Sequence, residues 1–74
     1  MWDKKKRHKW ELNTGSLEGE ASMKQVEGGY KIFFIAKEKE FGMQLRKRQE
    51  FFESKKEAKE ELKKEMKEFQ AGSN

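Results

Sequence analysis

From Lys9 to Leu45 the apolar side chains tend to fall at every second position, the period of a strand with one buried face. Trp10 and Leu12 alternate with charged neighbours, and Asn13-Thr14-Gly15-Ser16 then reads as a tight turn. Leu17, Gly19, Ala21 and Met23 share the next face, against Glu18, Glu20, Ser22 and Lys24. Gly28-Gly29 is the strongest turn signal, because a two-residue hairpin demands positive φ values that glycine accepts. The run from Tyr30 to Lys37 is rich in aromatic and β-branched residues. Lys37 to Glu40 makes a charged turn, and Phe41, Met43 and Leu45 alternate into a fourth strand. Phe51-Phe52 either adds a short edge strand or delivers the chain to a helix.

The helix signal is sharper. Ser54 followed by Glu57 is a capping box, Lys55 to Gln70 holds good helix formers plus Phe69, and Gly72 stands where a C-terminal glycine cap belongs. Ala58, Leu62, Met66 and Phe69 fall on one narrow stripe that can lie on a sheet. Lys59, Lys63 and Lys67 line one flank of that stripe, and Glu57, Glu61 and Glu65 line the other. The stripe spacing does not hold a heptad, which argues against a coiled coil.

Together these elements predict an α+β fold: an antiparallel β-meander of three to four strands followed by one C-terminal α-helix packed on one face. Turns at Gly28-Gly29 and Lys37 to Glu40 set Met23, Phe34 and Met43 in one inward row, with Lys24, Phe33 and Gln44 in the row facing outward. In the first hairpin Trp10 covers Gly19. Residues 9–70 form the expected domain, residues 1–8 a flexible basic tail with a mobile Trp2, and residues 71–74 a disordered C-terminus.

Composition narrows the class. The chain has 74 residues, 32% hydrophobic and 43% charged, so one thin core is the most it can build, while six Phe, two Trp and one Tyr argue against disorder throughout. The net charge is +4, and Met1 to Lys9 accounts for all of it, with Lys4, Lys5, Lys6, Arg7 and Lys9 set against Asp3. Without cysteine there is no disulfide and no thiolate nucleophile. The single histidine, His8, cannot build a Cys/His metal site. Carboxylates are interleaved with lysines in the manner of surface ion pairs, and no glycine loop opens a helix to hold phosphate. The expectation is a non-enzyme with no cofactor, metal or small-molecule substrate. No stretch has the apolar length of a membrane span, so no membrane partner is expected, and a cytoplasmic location is the default. The basic start is also compatible with nuclear import.

The informative exception to alternation is the run from Tyr30 to Lys37. Phe33 and Ile35 point away from the face that holds Ile32 and Phe34. The expected register surrounds Phe33 with Lys24, Lys31, Gln44, Arg46 and Arg48, an aromatic ring among cations on which a base can stack while phosphates are held. Glu11, Glu18 and Glu20 occupy the same outer face nearer the first hairpin.

The order of elements, a meander closed by a C-terminal helix, resembles that of single-stranded nucleic-acid-binding proteins of the transcriptional-coactivator, Pur and Whirly type. That resemblance implies dimers or larger assemblies and carries no binding residue across. Two functions follow as expectations. One is a nucleic-acid-binding module for single-stranded DNA or RNA, using Lys4, Lys5, Lys6, Arg7 and Lys9 with the Phe33 face. The other is a protein-interaction or inhibitor module, of a kind carried by mobile elements, that dimerises or docks a partner protein through the same face.

Overall fold

The computed structural model describes the backbone of residues 2–72 and the side chains of residues 2–69. The alternating segments form five strands, β1 Trp2–Lys6, β2 Lys9–Asn13, β3 Leu17–Val26, β4 Gly29–Glu38 and β5 Gln44–Phe52, and one helix, α1 Lys55–Gly72, follows. The strands pair antiparallel in chain order, β1-β2-β3-β4-β5. The fold is therefore α+β, as the pattern predicts, but with five strands instead of three to four.

One face of the sheet carries the core. Ile32, Phe34 and Ala36 of β4, Ala21 and Met23 of β3 and Trp10 of β2 meet Ala58, Leu62 and Met66 of α1. Phe34, Ile32 and Leu62 are the largest fully buried side chains, each contributing about 1.5–3 kcal/mol by leaving water. Ala21, Ala36 and Ala58 are completely buried as well, and their small size lets the helix lie close on the strands. The Ser54 cap is in place: the Glu57 amide donates to Ser54 Oγ at 3.4 Å, and the Ala58 amide donates to the Ser54 carbonyl at 3.0 Å.

Three register expectations are corrected. The β3–β4 turn uses Glu27 and Gly28, with Val26 opposite Gly29, so Met23 faces Ile32 and Phe34 faces Ala21. Only Gly28 needs a positive φ, at 85°, while Gly29 enters β4 beside the Phe51 ring and the Phe52 carbonyl, where a side chain would not fit. The β4–β5 loop lies later than the expected Lys37 to Glu40 turn. Glu38 pairs with Met43 through a 2.8 Å backbone bond, and Gly42 takes a φ of 69°. A bulge at Leu45 then changes the alternation, because Ala36 faces Arg46 whereas Lys37 faces Gln44. Phe41, Met43 and Leu45, expected in the core, are exposed at 79%, 58% and 47%. Arg46 and Arg48 take the inward positions instead.

The stretch expected as a flexible tail, residues 1–8, differs as well. Trp2–Lys6 is the edge strand β1, with Trp2 opposite Leu12 and Lys4 opposite Trp10. The Trp2 indole lies 5.6 Å from the Phe34 ring, and its Nε1 donates to the Met66 carbonyl at 3.1 Å, joining the first strand to the helix. A β-carbon on Gly19 would stand 2.8 Å from the Trp2 ring. A large ring does cover Gly19, as expected, but it is Trp2; Trp10 lies opposite Ala21. Of residues 71–74, expected to be disordered, Ala71 and Gly72 end α1, and Ser73 and Asn74 lie outside the described residues.

This packing predicts that Trp2→Ala lowers the unfolding free energy by about 2–3 kcal/mol, near the low end for a large aromatic because the ring is half-buried. Gly19→Ala should destabilise through the same contact. Urea titration followed by circular dichroism measures both, and wild-type midpoints in the two variants would contradict a structural role for β1.

Candidate nucleic-acid interface

Each face of β5 has a different job. On the helix side, Arg48 donates to Glu65 at 3.2 Å and to Glu61 at 3.3 Å, and it also pairs with Glu50 at 2.8 Å. Arg46 lies 2.7 Å from Glu65 Oε2 and 3.7 Å from Glu68. The Glu65 oxygen lacks the alignment of a hydrogen bond to Arg46, so that contact is an ion pair alone. Burial opposes the charge on Arg48, but the hydrogen bonds it donates to Glu50 and Glu61 outweigh that effect and hold the guanidinium more firmly protonated than usual. The acidic flank of α1 is thus neutralised against β5.

Arg46 and Arg48 therefore lie on the helix side of the sheet and not on the Phe33 face, which corrects the placement expected for them. Gln44 is also displaced, standing opposite Lys37 at the start of β5. Phe33 is half-buried between Ser22 and Gln49, with Ile35 between Glu20 and Lys47 one row along. Lys24 and Lys31 face each other directly and continue to Phe51, which is 46% exposed. Lys47 and Phe51 are the cation and the second aromatic ring that sequence reasoning missed on this face. The bulge at Leu45 puts them there, and no residue type announced it.

The N-terminal cations divide by strand face. Lys4 reaches to the helix side, its Nζ 5.7 Å from the centre of the Trp10 ring. Lys5 sits at an irregularity in the β1–β2 pairing and lines a cleft on the opposite side. Lys6 is opposite Lys9, and Lys9 is paired with Glu20 at 3.2 Å. Arg7 and His8 make the β1–β2 turn. Because Glu61, Glu65 and Glu68 face β5, the opposite flank of α1, with Lys59 and Lys63, faces the β1 side. Among the described residues, neither Lys4, Lys5, Lys6 and Arg7 nor the lysines of α1 form an ion pair. The banding of the helix was legible; its alignment with β1 was not.

His8 reports the field at this edge. Its ring is half-buried, and Nδ1 is enclosed without a hydrogen-bond partner. Desolvation lowers its pKa from the ordinary 6.5, and Lys55, Arg7, Lys59 and Lys4 lower it further. These four cations come from β1, the turn and the first turns of α1, so they share one corner of the molecule.

No protein-family model matches the chain, and neither curated proteins nor solved structures show a similarity to it. Among the described residues no helix is long and apolar enough to cross a membrane.

Two outcomes follow. Arg48→Met leaves Glu65, whose side chain is 7% exposed, without its best partner and should cost about 2–3 kcal/mol in urea unfolding; adding Glu65→Gln should return much of that loss. For His8, the folded state favours the neutral ring, so its stabilising share is full above pH 6.5 and is lost as pH falls from there through the lower pKa of the folded state. A His8→Asn variant should therefore show a flatter decline in melting temperature between pH 7.5 and pH 5.5 than the wild type.

Proposed function

We propose that this chain is a small, non-enzymatic nucleic-acid-binding module whose phosphate-contacting surface is the β1 edge together with the lysine flank of α1. The observation that carries this reading is the sorting of charge: the glutamate flank of the helix is occupied by Arg46 and Arg48, whereas Lys55 and Lys59 of the lysine flank gather with Lys4 and Arg7 around His8, without acidic partners among the described residues. Such a concentration of like charge is repulsive in the free molecule, and a polyanion relieves it while releasing its own counterions. On the sheet, Phe51 with Lys24 and Lys31, one row away from Phe33, offers a secondary surface on which a single strand can stack.

The test is a salt series with a labelled single-stranded oligonucleotide. Affinity should fall steeply as salt rises, with a log–log slope of about −0.7 for each phosphate contacted. Lys59→Gln with Lys63→Gln should weaken binding and make that slope shallower, while Lys24→Gln with Lys31→Gln should matter less. The oligonucleotide should also raise the pKa of His8, followed by its ring proton shifts, since phosphate stabilises the imidazolium that the four cations disfavour. A salt-insensitive affinity, or a His8 titration unmoved by saturating oligonucleotide, would refute the reading.

A further inference from the structure

A cleft of about 520 Å³ opens on the face of the sheet away from α1, within the size range of ligand-binding pockets. Four adjacent strands line it. Phe33 and Ile35 make an apolar floor, and Asp3, Glu11, Glu18 and Glu20 stand around it, against Lys5 and Lys37. Lys9 answers Glu20, but Asp3, Glu11 and Glu18 form no ion pair among the described residues. Phe33 and Ile35 are half-buried without any cover from the helix, which packs on the other side.

We infer that this cleft docks a protein segment that presents an apolar side chain flanked by lysine or arginine. The floor offers apolar contact that water does not satisfy, and the carboxylates offer charge-assisted hydrogen bonds to basic side chains on either side of it. The same carboxylates repel phosphate, so a nucleic acid bound along the β1 edge and helix flank would leave this cleft free. The cleft therefore adds a second, protein-directed surface of opposite sign, and it stands whether or not the nucleic-acid reading does.

The experiment is an amide-shift titration of the full chain with a short capped peptide alternating arginine and leucine. Its glutamate–leucine counterpart and a single-stranded oligonucleotide serve as the other arms. The arginine peptide should perturb Gly19, Phe33 and Ile35, and its affinity should fall at least about tenfold in Glu11→Gln with Glu18→Gln, equivalent to about 1.4 kcal/mol. Both glutamates lie on the helix-free face, so this variant keeps the core intact; Ile35→Lys, which places a cation on the floor, is a second block. Equal binding of the glutamate peptide, shifts confined to other surfaces, unchanged affinity in the double variant, or an oligonucleotide that occupies the same amides would each overturn the inference.

Discussion

The contact between the glutamate flank of α1 and the arginines of β5 orients the whole molecule. A narrow apolar stripe of Ala58, Leu62 and Met66 fixes that the helix lies on the sheet, but a stripe alone tolerates rotation about the helix axis. Glu61, Glu65 and Glu68 remove that freedom by finding Arg46 and Arg48 on one side. Once that flank is committed, the lysine row must face the opposite side, where β1 already holds a run of cations. The charge map of the surface is thus a consequence of how the core is closed. Glu65, a buried carboxylate, is the residue at which the two requirements meet.

Much of the architecture was legible because the two periods, two for the strands and near four for the helix stripe, are each kept over many residues. Which face each of β2, β3 and β4 buries was correct throughout, since the shift of the Gly28 turn by one position on each side leaves the parity unchanged. The fifth strand was different. Phe41, Met43 and Leu45 alternate as convincingly as any strand in the chain, yet the loop claims the first two and the bulge turns out the third. The inward positions went to Arg46, Arg48 and Glu50, which look like surface residues until the acidic flank of the helix is brought against them. Local pattern cannot reveal a polar partner that arrives from a distant element.

The start of the chain shows the same limit from the other direction. Lys4, Lys5, Lys6 and Arg7 make a composition typical of solvated tails, and one side chain overrides it. Trp2 fills the space left by Gly19, touches Phe34 and donates to the helix backbone at Met66, so the strand behind it is held although its other residues are exposed. The candidate site inherits that rigidity. Cations that would otherwise sample a wide volume are fixed at the spacing of an extended strand beside a helix, which lowers the entropy lost when they engage a ligand.

The irregularity in the β1–β2 pairing at Lys5, between Lys4 and Lys6, also bears on how readily another strand could add to the sheet. An open meander leaves two unpaired strand margins, each a template on which another sheet could grow. Here one margin is crowded with ammonium groups and broken in its hydrogen-bonding rhythm, and the other is interrupted at Leu45, with Lys47 on the helix-free face and Arg46 and Arg48 turned to α1. Adding a strand to either margin would meet a ladder that is out of step, and at β1 a run of cations as well, so these irregularities discourage edge-to-edge growth.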